Sequence, residues 1–142
     1  MKTTPNTLVF VGFLLIPIFL VRAQEKPEAD RKDSIGRGKY IVEQVAMCIE
    51  CHTPRDENGR LLSTKYLEGA PVPVKGPPFP RIKWAIRAPA LAGLPGYTRE
   101  QGVRLLTEGI TADGKSPDPP MPRFRLNRSD AEAVVAYLKS LR

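Results

Sequence analysis

The chain has 142 residues, with 22 lysines and arginines against 15 aspartates and glutamates, a formal charge of +7. That length suits one core of ordinary size, and the basic balance comes without any recognition motif, which makes nucleic acid a poor partner. With two cysteines and one histidine in all, a metal or redox centre must be built from very few side chains.

At the N-terminus, Lys2 and the free amine precede an apolar run from Leu8 to Val21, interrupted by Gly12 and Pro17. As a helix, those fourteen residues would span about 21 Å, short of the roughly 30 Å hydrocarbon core. The pattern reads as an export signal, with Val21-Arg22-Ala23 ahead of cleavage before Gln24. An uncleaved anchor is the alternative, because Phe10 to Leu20 is strongly apolar and Arg22 is unusual beside a cleavage site. Loss of residues 1–23 removes Lys2 and Arg22 and no acid, so the mature charge is +5. The expected location is the periplasm or another exported compartment, with membrane contact only through an uncleaved N-terminus or a membrane complex. A mildly basic small domain suits transient docking on an acidic protein surface.

Residues 24–33 are charged, carry no apolar side chain beyond alanine, and read as a solvated tail. A single domain over residues 34–142 follows. Its first helix is expected from about Ile35 to Cys48, capped by Asp33 or Ser34, with Ile41, Val45 and Cys48 on one stripe. Gly36 and Gly38 lower its propensity but allow another backbone to approach.

Cys48-Ile49-Glu50-Cys51-His52 comes next and uses both cysteines and the only histidine. Two thiols three positions apart can each add to a vinyl group of a haem, and the histidine that follows can face the iron. C-x-x-C-H is the attachment pattern of c-type haem. Zinc is a weaker reading, since a structural site wants about four ligands. A thioredoxin-like dithiol would need a strand and a βαβ pattern, and a plain Cys48–Cys51 disulfide is the remaining alternative. The cofactor expected is one haem c, covalent through Cys48 and Cys51.

From Thr53 to Tyr97 eight prolines fall and no helical period survives them. So long a loop normally argues against its own assignment, but a large apolar cofactor gives it something to wrap. A short helix near Ser63 to Glu68 is marginal, and nothing alternates convincingly enough for a sheet. A second helix is expected over about Arg99 to Glu108, with Thr98 and Gln101 as a capping box and Gly109 as its stop. The third starts after Ser129, boxed by Glu132, and runs to Leu141 with Ala131, Val134, Val135, Leu138 and Leu141 on one face. The fold class is all-α, a small fold of three main helices and a proline-rich loop around one covalent haem.

The axial ligands follow by elimination. His52 is proximal by position, and no second histidine exists. Of the two mature methionines, Met47 adjoins Cys48 and cannot reach round the macrocycle. Met121 lies 69 residues beyond His52 between Pro120 and Pro122, where restricted backbone would hold its sulfur at low entropic cost. The other readings are a core-filling methionine, a lysine ligand, or an open coordination position.

Cys48 to His52, the pair Met121-Pro122 and the ending Ala136-Tyr137-Leu138-Lys139-Ser140-Leu141 together resemble class I c-type cytochromes, the exported bacterial monohaem kind. The resemblance covers most of residues 34–142. It implies that the first and last helices cross near the haem, a small residue against an aromatic, and Gly36 and Tyr40 with Val134 and Tyr137 match that arrangement. It also implies a proline carbonyl accepting from the Nδ1–H of His52. The long insertion obscures which proline, and Pro71 and Pro77 are both candidates. By the same likeness Trp84, among Arg81, Lys83 and Arg87, would donate to a haem propionate; an aromatic merely covering the haem edge is the alternative. Arg123, Arg125 and Arg128 flank the Met121 loop as a docking rim or as ordinary solvated cations.

The function expected is single-electron transfer between periplasmic or membrane redox partners. No separate catalytic apparatus is evident, so the chain reads as a carrier or as the cytochrome subunit of a dehydrogenase or oxidase complex, not as an enzyme. One alternative is a haem enzyme or a gas- or peroxide-binding sensor in which Met121 dissociates. The other is a dithiol oxidoreductase without haem.

Overall fold

The computed structural model describes residues 28–79 and 82–141; the expected export signal lies outside them. Helix α1 spans Glu28–Tyr40 and begins earlier than the sequence suggests. Residues 28–33, expected as a tail, are helical although exposed. Good helix formers and the acids Glu28 and Asp30 in the first turn suit that end of the dipole.

After Tyr40 the helix widens into a π turn over Ile41–Val45. Ala46 N–H donates to the Ile41 carbonyl at 2.8 Å and Cys48 N–H to the Val42 carbonyl at 2.9 Å. The wider turn rotates the expected stripe. Ile41 and Val42 are buried, and Val45 is 57% exposed. The turn delivers the chain to α2, Ile49–His52.

A 3₁₀ turn at Ser63–Lys65 stands where the marginal helix was expected. Two-residue strands β1 (Ala70–Pro71) and β2 (Arg87–Ala88) pair antiparallel, Ala70 opposite Ala88. So small a sheet leaves the class all-α, as expected.

Helix α3, Arg99–Glu108, forms the predicted capping box: Gln101 N–H donates to Thr98 Oγ1 at 3.1 Å and Thr98 N–H to Gln101 Oε1 at 2.9 Å. Gly109 ends it at φ 71°. Helix α4 is Arg128–Ser140, and its cap is Asn127, whose Oδ1 accepts from Asp130 N–H at 2.8 Å. The expected Ser129–Glu132 box does not form, because the helix already starts at Arg128 and Ser129 lies inside it; Glu132 pairs with Arg128 at 2.8 Å.

Helices α1 and α4 cross at Gly38. A Cβ there would run into the Ala133 carbonyl and lie 2.8 Å from Tyr137 Cβ. Gly36 meets open space, and Tyr40 is 51% exposed beneath the Arg37 guanidinium, 5.7 Å from its ring centroid. The crossing expected of Gly36 and Tyr40 therefore belongs to Gly38, one helical half-turn round. Arg37 closes the contact, donating to both carboxylate oxygens of Asp130 at 2.8 and 3.2 Å. Helix α3 approaches α4 through Gly102, against Val135. The core gathers Ile41, Val42, Leu67, Val103, Leu106, Val134, Val135 and Leu138. No helix among the described residues is long and apolar enough to cross a membrane.

Candidate cofactor site

Cys48, Cys51 and His52 share one turn. Thr53 N–H donates to the Ile49 carbonyl at 3.1 Å, and Gly69 N–H donates to the His52 carbonyl at 2.8 Å. His52 is 7% exposed, and its Nδ1 lies 2.7 Å from the carbonyl oxygen of Pro89. A carbonyl can only accept, so Nδ1 carries the proton and Nε2 keeps its lone pair. Burial holds the imidazole below its ordinary range, with the Pro89 carbonyl opposing that effect. The ring is thus neutral near pH 7 and ready to ligate. The acceptor is neither Pro71 nor Pro77. Pairing of β1 with β2 brings Pro89 back beside the turn that holds His52, a long-range consequence that spacing does not display.

No disulfide joins Cys48 to Cys51. Burial pushes the Cys48 thiol up to about 11, so it is protonated at neutral pH. A dithiol oxidoreductase needs a lowered, exposed thiolate, and this environment is the opposite of that.

Cys48, Cys51, His52 and Met121 all line one cavity of about 340 Å³. Its walls are mainly apolar, from Leu105 and Leu106 on α3, Val134, Val135 and Leu138 on α4, and Leu91 and Leu94 between β2 and α3. The donor set is a neutral imidazole and a thioether, with two thiols beside them, inside a largely apolar hollow. That chemistry fits a covalently held haem: Cys48 and Cys51 would form the thioethers, and His52 and Met121 would supply nitrogen and sulfur ligands.

The segment carrying Met121 is tied to the proline-rich excursion. Met121 N–H donates to the Asp118 carbonyl at 3.3 Å, and Ala85 N–H to the Pro119 carbonyl at 2.7 Å. Lys83 pairs with Asp118 at 2.6 Å. Trp84 does not line the cavity. Its indole N–H, expected to face a propionate, donates to the Val74 carbonyl at 3.1 Å, and its ring covers Gly76. It ties residue 84 to residues 74–76 instead. Tyr40 is likewise absent from the cavity walls. Among the described residues, the cation that lines the cavity is Arg87, named in sequence only as a neighbour of Trp84.

Thr111, another wall residue, sits in a tight turn. Its Oγ1 donates to Asp113, while its N–H donates to the Lys115 carbonyl at 2.8 Å. Hydrogen bonds from Thr111 and Lys115 lower the Asp113 carboxyl to about 2, from 3.8. A depressed pKa means the contribution is present above about pH 3.8 and is lost as pH falls through about 2. Amide exchange at Thr111 is accordingly expected to accelerate across that window; exchange independent of pH beyond the intrinsic chemistry would contradict the turn's dependence on Asp113.

A family model described as Cytochrome c matches residues 35–142. The chain is 30% identical over 128 residues to a protein named diheme cytochrome c-type from Cereibacter sphaeroides, covering 87% of this chain and 38% of that one. It is 28% identical over 133 residues to the fructose dehydrogenase cytochrome subunit of Gluconobacter japonicus, covering 84% of this chain and 25% of the relative. The chain therefore spans well under half the length of either relative.

Proposed function

The chain belongs to the cytochrome c family, and from that premise we propose that it is an exported single-electron carrier with one haem c and His52/Met121 axial ligation. The observation that carries this reading is the convergence of Cys48, Cys51, His52 and Met121 on one apolar cavity, with His52 Nδ1 already committed to Pro89. The haem would supply reversible one-electron chemistry. The chain's own residues set its conditions. Cys48 and Cys51 fix the group covalently, Pro89 holds the imidazole in the ligating tautomer, and the apolar walls exclude water. A carbonyl that accepts from the far ring nitrogen raises the basicity of a ligating histidine, while a neutral thioether and apolar surroundings favour the reduced, less charged state. A single C-x-x-C-H in the chain supports a count of one haem, although one relative is named diheme.

The apolar run at Leu8 to Val21 supports export to the periplasm. The partners proposed are redox proteins with an acidic docking surface, because the mature domain is basic. The relative named as a dehydrogenase cytochrome subunit supports a place as electron-accepting subunit of such a complex, without catalysis by this chain itself.

The test is to make the full chain in a host that matures c-type cytochromes, then weigh the exported product and record oxidised, reduced and CO-treated reduced spectra. A mass gain of one haem with spectra indifferent to CO is expected. No added mass overturns the haem. Rapid CO binding in the reduced state would replace the carrier with a ligand-binding protein in which Met121 leaves the iron.

A further inference from the structure

Glu43, Tyr66 and Tyr137 form a polar cluster outside the cavity, where the π turn, the segment after the 3₁₀ turn and α4 meet. Tyr66 Oη donates to Glu43 Oε1 at 2.6 Å, and Tyr137 Oη donates to the same oxygen at 3.1 Å. The two hydroxyl oxygens are 3.1 Å apart. Burial, chiefly, raises both phenols above their ordinary range, and the Glu43 carboxylate adds to it. Both therefore stay protonated and able to donate. Nothing in the carrier chemistry proposed above requires a carboxylate held by two phenols.

The hydrogen bonds beyond Tyr66 lead to His52. Leu67, fully buried at φ 56°, follows Tyr66 directly. Its N–H donates to Thr53 Oγ1 at 3.0 Å, and its carbonyl accepts from Leu91 and Ala92 at 2.8 and 3.1 Å. Gly69 N–H reaches the His52 carbonyl at 2.8 Å. The segment that starts at Tyr66 thus grips residues 52–53 on one side and residues 91–92 on the other. Those are the flanks of the 2.7 Å bond between His52 and Pro89. Glu43 can reach this segment because the π turn places it there, between the buried Ile41–Val42 pair and the haem-attachment turn.

We propose that Glu43, acting through the Tyr66 hydroxyl, is a positioning residue that holds the His52–Pro89 hydrogen bond at its working length. The inference rests on His52 being the iron ligand. Loss of the Tyr66 hydroxyl frees the 66–69 segment, weakens the bond to Pro89 and makes the imidazole a poorer donor to ferric iron.

The experiment uses haem-loaded full chain carrying Tyr66→Phe, which keeps the Glu43 charge. At fixed applied potential, the ferrous-to-ferric ratio is expected to rise about fivefold, the ratio that one net hydrogen bond of ordinary strength represents. The paramagnetically shifted His52 ring protons of the ferric form should move with it. Tyr137→Phe leaves the bond from Tyr66 to Glu43, so it should lower stability while the ratio stays within about twofold. An unchanged ratio and unmoved His52 resonances in Tyr66→Phe overturn the proposal and leave the carrier reading standing, as does an equal shift in Tyr137→Phe. Absence of haem from the wild-type product defeats the carrier reading instead. Should Tyr66→Phe fail to accumulate, Glu43→Leu, which removes the acceptor of the Tyr66 hydroxyl, gives the same reading through the His52 resonances: movement supports the proposal, and none overturns it.

Discussion

Replacing Met121 with alanine is expected to remove the iron–sulfur absorption band of the oxidised protein and to lower its reduction potential by on the order of 0.1–0.2 V. Axial ligands move haem potentials over a range of about 0.8 V, and exchange of a neutral thioether for water or nothing uses part of it. A soft, uncharged sulfur stabilises ferrous iron, and its loss leaves one coordination position open. The same variant should therefore gain rapid CO binding when reduced. Met121 is only partly buried, so its truncation should cost less than the 2–5 kcal/mol typical of a fully buried methionine. Its loop is also held independently, through Lys83–Asp118 and the Ala85–Pro119 hydrogen bond. A folded variant with altered spectrum is thus the expected outcome. Spectrum and potential identical to wild type would remove Met121 from the iron and return it to the role of a cavity-wall side chain.

The parts of this molecule legible in sequence are those governed by local chemistry. The Cys48–His52 pattern, the Thr98–Gln101 box and the Gly109 stop each depend on residues within four positions of one another, and α3 has the bounds expected for it. What escaped depends on distant partners. The π turn shifts the phase of the helix after Tyr40, so Val45 faces outward. Gly38, not Gly36, meets α4 because Ala133 and Tyr137 pass on that side of α1. Pro89 becomes the histidine's acceptor only through the pairing of Ala70 with Ala88. Trp84 satisfies its indole N–H on Val74, ten residues back, in a proline-rich stretch of sequence with no period to read. The cluster of Glu43 with Tyr66 and Tyr137 had no signal at all, since its members are 23 and 94 positions apart in the chain.

Gly38→Ala is expected to be among the most destabilising single substitutions in the chain, although alanine is the better helix former. Propensity alone would favour alanine by about 1 kcal/mol. Against that, the new Cβ would occupy the space of the Ala133 carbonyl, with Tyr137 Cβ only 2.8 Å away. Backbone atoms of a packed helix cannot swing aside as the end of a flexible side chain can. The helices must separate, and overpacking of this kind costs roughly 1–3 kcal/mol, more where no rotamer can yield. Separation would also strain the Arg37–Asp130 pair and pull Tyr137 from Glu43. A net loss of about 2 kcal/mol or more should appear as a lowered urea midpoint of the haem-loaded protein. Gly36→Ala is the matched control: its Cβ meets nothing within 4 Å, so it should gain about 0.5–1 kcal/mol. Opposite signs two residues apart on one helix locate the crossing. Equal midpoints for the two variants would mean that α1 and α4 do not meet at Gly38.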